Sequence, residues 1–485
     1  MKILKHFLNV GLGTLINILL SFFTTPILTR IIDPASSGKL TIFNTRVGIL
    51  TSLFYFGLNE ALLRFFFSYE KEEEKRSLLK LCFLIPVISL LAVFCVALFL
   101  FANGILNIDY SLVLFVMLFL CIFFTIWERM SNEMLQNVLD SSIYSMASII
   151  KKAVYCLGAI ALISRFKNSQ FFLLAFLTTL SVMISALIGT AATRKYWKFS
   201  DISYPKNRTE IFRYSLPMYI YFAIYSLFDS ADKLFIEQYC TDAEIGIYGT
   251  AFSLVGVYSV FQMAFKAIWR PIQTKHYTEN PDDMTFIQKG NRYITILMFF
   301  VGINTMMFKD VICLLLGPSY RSGAQLVPFL VFNPILNTMI WTVTSGIEIS
   351  QKSYLNVLII IVSLGVLSVG SLILIPMIGI KGSGIAVTAA MIVQYYLTLY
   401  FSNRNKYVDY STPKMTFILL LMLIFAYMNT FYEFTILTVI FYCVLMAVFI
   451  AAYYADLKEM TIFMIDSLKN NENKNDDETD SDLRK

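Results

Sequence analysis

Lys151 and Lys152 stand side by side in an otherwise apolar run from Ile143 to Ser164. Between Lys152 and Arg165 lie only the twelve residues Ala153 to Ser164. Wound as a helix these cover about 18 Å, too little to cross a hydrocarbon layer roughly 30 Å thick. Both ammonium groups therefore fall at membrane depth, where a charge is costly. They either snorkel to a surface or line an enclosed space that would draw an anion. Arg46, about two turns into a second apolar run, poses the same choice between a structural ion pair and a cavity cation. Arg30 closes the first run, as an interface anchor or a site residue. Lys266 and Arg270 are four apart and share a helix face.

Acidic residues at membrane depth are fewer. Asp229-Ser-Ala-Asp232-Lys233 ends one apolar run, with Asp229 and Lys233 four apart. A local ion pair between those two is the plain reading; a gating switch or a Na+ or H+ site is the other. Glu348 is similar. Tyr219, Tyr221 and Tyr225 could stack on sugar rings, although tyrosine is common at membrane interfaces in any case.

The elements that must hold these side chains are membrane helices. The chain has 485 residues, 57% of them hydrophobic and 15% charged. Its mean hydropathy is +0.66. Fourteen apolar runs follow one another, at about 7–29, 40–62, 78–102, 110–128, 143–164, 170–192, 212–235, 246–268, 292–316, 323–348, 354–377, 380–402, 414–431 and 434–455. No loop is long enough to fold as a soluble domain. The first run is too long for a secretory signal and lacks a small-residue cleavage pattern, so it reads as a span. With the N-terminus inside, and cations near span ends counted with the adjoining loop, 28 of the 39 Lys and Arg fall on the inner side, eight on the outer, and Arg46, Lys151 and Lys152 deeper within spans. That bias predicts cytoplasmic termini and fits a bacterial inner membrane. Pro26, Pro86, Pro217, Pro271, Pro334 and Pro376 fall in or beside spans, as tolerated prolines or as breaks lining a cavity. The segment 457–485 is polar and acidic and reads as a disordered cytoplasmic tail.

The same sequence excludes other classes. The seven cysteines include no CxxC, and the two histidines, His6 and His276, have no ligand partners nearby, so neither a disulfide framework nor a metal site is expected. No GxSxG or P-loop is present, no nucleophile or base is visible, and ATP is not a direct energy source. The net charge of +6 reports membrane orientation, with no nucleic-acid partner implied.

A shift of 208 residues brings Ala35, Gly38, Val47 and Gly48 onto Ala243, Gly246, Val255 and Gly256. Ile3, Lys5 and Leu8 fall on Ile211, Arg213 and Leu216. The period holds six spans, so both copies keep one orientation and the repeat is parallel. The expected fold is all-α. A six-helix lobe over 1–200 faces a second over 205–405 across a central cavity, with two additional helices over 412–456.

Several segments then carry a resemblance. They are Pro26-Ile-Leu-Thr-Arg30 with Gly38, Gly57-Leu-Asn-Glu-Ala-Leu-Leu-Arg64, Asp232-Lys233 with Ala243-Glu-Ile-Gly-Ile-Tyr248, and Trp269-Arg-Pro271. Leu316-Gly-Pro-Ser-Tyr320, and Leu374-Ile-Pro376 with Gly379-Ile-Lys-Gly-Ser-Gly384, continue the series. In order and spacing the chain resembles the polysaccharide transporter branch of the multidrug/oligosaccharidyl-lipid/polysaccharide exporter superfamily. Many relatives carry Asn where this chain has Ser371.

The resemblance implies a flippase, not an enzyme, that moves polyprenyl-diphosphate-linked oligosaccharide for O-antigen, capsule or exopolysaccharide. Alternating access through a cationic cavity would carry the headgroup while the tail stays in membrane lipid. Arg46, Lys151, Lys152, Arg30, Lys266 and Arg270 are the candidate binding residues. Asp229, Asp232, Lys233 and Glu348 are candidates for gating or for coupling to Na+ or H+, and no other cofactor is expected. A polysaccharide polymerase and export machinery are the expected partners. The rival readings are a drug/cation antiporter of the same superfamily, a lipid II flippase, and a membrane polysaccharide polymerase.

Overall fold

The computed structural model describes residues 24–105, 110–138, 141–199, 204–205, 207–280, 283–352 and 354–483. Secondary structure among them is helical. The end of the first span, α1, covers 24–31. It is followed by α2 (Pro34–Phe54), α3 (Leu58–Phe65), α4 (Glu72–Ala102), α5 (Leu112–Asn137), α6 (Ser141–Ile163) and α7 (Gln170–Ala192). The second half holds α8 (Arg208–Tyr239), α9 (Asp242–Val255), α10 (Tyr258–Glu279) and α11 (Thr285–Met307). It continues with the short α12 (Lys309–Cys313), α13 (Val327–Leu330), α14 (Phe332–Val343) and α15 (Ser345–Ile349). Long helices α16 (Tyr354–Ile378), α17 (Ile380–Asn405), α18 (Thr412–Phe431) and α19 (Ile436–Leu483) complete the chain.

Nine described helical segments are long and apolar enough to cross a membrane, ten if α2 and α3 count as one span bent by 57°. Together with α1, α8, the broken α9–α10 and α11, these are the fourteen segments expected from the sequence. Of the expected run 7–29, residues before 24 lie outside the described residues. Helix α8 is among the more polar ones, with Asp229, Asp232, Lys233 and Glu237 in its second half.

Local chemistry sets the boundaries. Asp33 caps α2 by accepting the Ser36 N–H at 2.8 Å, with Pro34 in the first turn. Thr241 and Glu244 form a capping box at α9. Asp33 and Thr241 stand 208 residues apart, so the repeat preserves the helix start. The breaks fall at Gly57, whose φ of 69° suits glycine, and at Gly256–Val257. Pro86, Pro217, Pro271 and Pro376 stay inside continuous helices, as tolerated prolines.

The repeat is visible as reciprocal contact. A Cβ on Gly38 would meet the Asp242 carbonyl oxygen at 1.8 Å, and one on Gly246 would meet that of Pro34 at 2.0 Å. Residues 34 and 38 become 242 and 246 under the 208-residue shift. Each copy therefore touches the other with the same atoms, as a two-fold axis between α2 and α9 requires. The close approach of small residues is a membrane device, since backbone dispersion contact drives helix association in lipid.

The second half packs around one continuous apolar core that includes Phe299, Phe332, Tyr395, Phe425 and Phe449. The last two spans belong to it. Phe425 of α18 stacks on Phe441 of α19 at 5.8 Å. Asp456 of α19 takes Arg292 of α11 at 2.8 Å and Lys414 of α18 at 2.9 Å. The first half has several smaller cores. The backbone of α19 continues to Leu483, where the sequence predicts disorder from 457. The difference has a physical reason: an existing helix propagates without a new nucleation cost.

Candidate functional site

A cavity of about 450 Å³ lies between the two halves. From the first half, Ser37, Thr41 and Asn44 of α2 face it, with Thr29 of α1 above them. Lys151, Lys152 and Tyr155 of α6, and Thr178 and Ser181 of α7, line a second wall. The second half contributes Gly249, Thr250 and Ser253 of α9, and Tyr320. The lining is therefore hydroxyl-rich with two cations, a chemistry suited to phosphate and sugar oxygens.

One end of the cavity is sealed. Besides the Gly38–Gly246 crossing, the Gly317 N–H donates to Thr29 Oγ1 at 3.0 Å and the Tyr320 hydroxyl donates to the Ile32 carbonyl at 3.1 Å. A Cβ on Gly317 would meet the Thr29 carbonyl oxygen at 2.1 Å. Toward the other end, α3 packs on α8, with Phe56 against Tyr219 at 5.5 Å and Phe65 against Tyr214 at 5.8 Å. Among the described residues, α5 and α6 have no substantial packing against α10 and α11.

The paired lysines sit deep. Lys151 is ten residues from the start of α6, about 15 Å along the axis. Lys151 Nζ meets Glu128 Oε2 of α5 at 2.7 Å. Glu128 is nine residues from the end of α5, about 14 Å, so the antiparallel neighbours place the two at one level. Among the described residues Lys152 has no carboxylate within ion-pair reach.

Arg46 is not among the residues lining this cavity; it pairs with Glu237 of α8, the ion-pair alternative, and lies 5.0 Å from the Tyr110 ring. The reason is helical phase: Ser37, Thr41 and Asn44 share a face, and Arg46 stands about 200° beyond Asn44. It ties the two halves together instead. Arg30 also leaves the cavity; it is exposed, and its Nη2 reaches the Leu315 carbonyl at 3.5 Å beside the seal. Lys266 lies over the Trp341 ring at 3.8 Å, away from this cavity. Arg270 is in α10, and its side chain lies outside the described residues.

The acidic group is arranged differently from the expected i,i+4 pair. Lys233 Nζ meets Asp232 Oδ1 at 3.1 Å and donates to the backbone carbonyl of Asp229 at 3.1 Å. Asp232 is 2% exposed and also accepts the Tyr248 hydroxyl at 2.6 Å. Asp229 and Asp232 border a recess of about 20 Å³ with Tyr225, Asn337 and Gln394, room for roughly one water. Tyr221 and Tyr225 stack on each other at 6.2 Å. Glu348 is in α15, a turn before the loop to α16. Among the described residues no cluster of three His, Cys, Asp or Glu could hold a metal ion.

Glu128, Glu237 and Tyr320 escape a reading of hydropathy alone. Glu128 and Glu237 fall where an apolar run ends, at 128 and 235, so they read as loop-side charges. Both lie inside helices that continue, to Asn137 and Tyr239. A usable signal exists for Glu128: Cys121, Thr125 and Glu128 share a face that keeps helical spacing past the end of the apolar run.

Two helical halves that meet reciprocally at the α2–α9 crossing and enclose a polar cavity define a multi-pass membrane protein built like a transporter. The family follows from sequence: the model for polysaccharide biosynthesis proteins matches residues 3–274, and the chain belongs to that family. Among solved structures it is similar to the lipid II flippase MurJ in an inward closed conformation, with 10% identity, TM-score 0.67, and 94% of this chain and 99% of that chain covered. It is also similar to an inward-facing multidrug resistance MATE transporter of the MOP superfamily, with 14% identity, TM-score 0.60, and 81% and 97% covered. An outward-facing MATE transporter aligns at TM-score 0.54, 12% identity, and 82% and 95% covered. No curated protein matches the chain by sequence.

Proposed function

We propose that the protein is a flippase for polyprenyl-diphosphate-linked oligosaccharide in the bacterial inner membrane, working by alternating access and serving surface polysaccharide export. The observation that carries this reading is that Lys151 and Lys152, near the middle of the apolar helix α6, line a hydroxyl-rich cavity between the halves. Two ammonium groups offset the cost of bringing a diphosphate out of water. Hydroxyls and the nearby Asn44 suit the first sugars, while the polyprenyl chain stays in lipid. The sealed end is assigned to the outer face and the termini to the cytoplasm, from the distribution of Lys and Arg. The cavity then loads from the cytoplasm, and rocking of the halves that parts α2 from α9 at their crossing opens it outward.

Transport of this kind makes and breaks no bond, so the protein is not an enzyme in this reading. A cationic cavity disfavours the drug/cation antiporter. Lipid II is the second reading, favoured by the likeness to a lipid II flippase and by the same diphosphate chemistry. Asp229 and Asp232 are proposed for gating or Na+ or H+ coupling. The last two helices, packed on the second half, form with it one moving body.

The test is transport of a lipid-linked oligosaccharide in proteoliposomes with the Lys151→Ala, Lys152→Ala double variant. Transport should drop at least a hundredfold at normal insertion. Wild-type rates in that variant defeat the proposal. Parallel assays with lipid II separate the two substrates.

A further inference from the structure

Lys151 is held by a carboxylate at the cavity wall. Glu128 Oε2 lies 2.7 Å from its ammonium group, and the Glu128 side chain is 9% exposed. Arg129, the next residue along α5, is turned to Glu133 at 2.6 Å. Among the described residues, Lys151 is thus the ion-pair partner Glu128 has. The other titratable groups around it are Tyr144 of α6, Tyr55 after α2, and Cys121 of α5. Glu128 is absent from the cavity lining, whereas Lys151 is part of it. The lysine is therefore shared between a carboxylate behind it and whatever enters the cavity in front.

We infer that Glu128 is an internal counter-anion for Lys151, which the substrate's phosphate must displace. This rests on the proposed flipping of a diphosphate-linked glycan. Two neighbouring ammonium groups with no anion repel each other in a poorly screened space. Glu128 removes one unit of that charge while the cavity is empty. A diphosphate diester carries two negative charges, matched by Lys151 and Lys152 together once Glu128 has let go. The carboxylate accordingly sets a threshold: a singly charged lipid headgroup meets only Lys152 and gains too little to pull Lys151 away, whereas a diphosphate engages both. Glu128 acts here as a specificity-determining residue through Lys151, and it touches no substrate.

The full chain in phosphatidylethanolamine/phosphatidylglycerol nanodiscs, titrated with inorganic pyrophosphate, tests this. Glu128→Gln should bind about tenfold tighter than wild type. It should have no effect in a Lys151→Gln background, because the competition has lost its object. Glu128→Asp, which draws the carboxylate back by one methylene, should tighten binding by a smaller factor and serves if the Gln variant does not insert. A damaged cavity would weaken binding, so the sign alone separates a structural role from this one. Unchanged or weaker binding in Glu128→Gln or Glu128→Asp, with Lys151→Gln still weakening it, overturns the inference and leaves the flippase reading standing. Wild-type binding in Lys151→Gln and Lys152→Gln, or no binding in any variant, removes the cationic site itself and this inference with it.

Discussion

In the first half, α6 carries Lys151 and Lys152 near its middle, with Glu128 of α5 beside them. In the second, the fifth span is α16, which has no charged residue from Tyr354 to Ile378. The fourth span there, α13 to α15, is uncharged up to Glu348 near its end, whereas α5 carries Glu128, Arg129 and Glu133. The backbone crossing is treated in the opposite way. Pro34 and Gly38 on one side and Asp242 and Gly246 on the other make the same contact in both directions. A duplicated helix pair can diverge in what it presents to a cavity, because each lining side chain acts alone. It cannot diverge where its backbone touches its own copy, because every atom of that contact is used from both sides.

This contrast can be broken experimentally. After the lysine pair, whose loss should stop transport, the largest effect belongs to the crossing. Gly38→Ala and Gly246→Ala each put a methyl group into a backbone carbonyl. Each should destabilise the sealed state by about 1–3 kcal/mol. A cysteine placed at Ser253 should then become reactive to an impermeant maleimide from the outside. The contrast predicts similar effects for the two glycines; a response to one alone would end the claim of equivalence.

A smaller effect is expected at Arg46 and Glu237, which join α2 to α8 and are each about one-third exposed. Arg46→Gln and Glu237→Gln should cost about 1 kcal/mol or less apiece, with the double variant no worse than either and the difference fading at high salt. Thermal unfolding of the inserted protein measures this. If Arg46→Gln alone abolishes transport with the fold unchanged, Arg46 serves the cavity after all. The smallest effect belongs to Lys266, over the Trp341 ring in the second half. Lys266→Ala should lose about 0.5–2 kcal/mol of local contact and leave transport within twofold of wild type. A hundredfold loss there would mean that the second half also binds through cations.

Much of the architecture was legible from residue order. Apolar runs, loop charges and a 208-residue echo predict fourteen spans, a parallel repeat and the depth of Lys151 and Lys152. These depend on length and solvent: a helix rises by a constant amount per residue, and lipid tolerates few charges. The site was legible in part. Lys151 and Lys152 line the cavity, but Arg46, read on depth alone, turns to another helix. The expected Asp229–Lys233 pair forms between Lys233 and Asp232 instead, because an interior carboxylate also held by Tyr248 is the better anchor.

Sequence alone determined that this chain is a multi-pass membrane protein, how its apolar helices follow one another, and how far along them its cations lie, because those follow from local pattern and one-dimensional length. Only the tertiary structure decided which cations share a cavity, that Glu128 backs Lys151, that Glu237 takes Arg46, and that two glycines 208 residues apart meet on an axis. Each of those depends on the rotation of one helix against another. A turn of 100° per residue carries that information, and hydropathy, which averages around the helix, erases it.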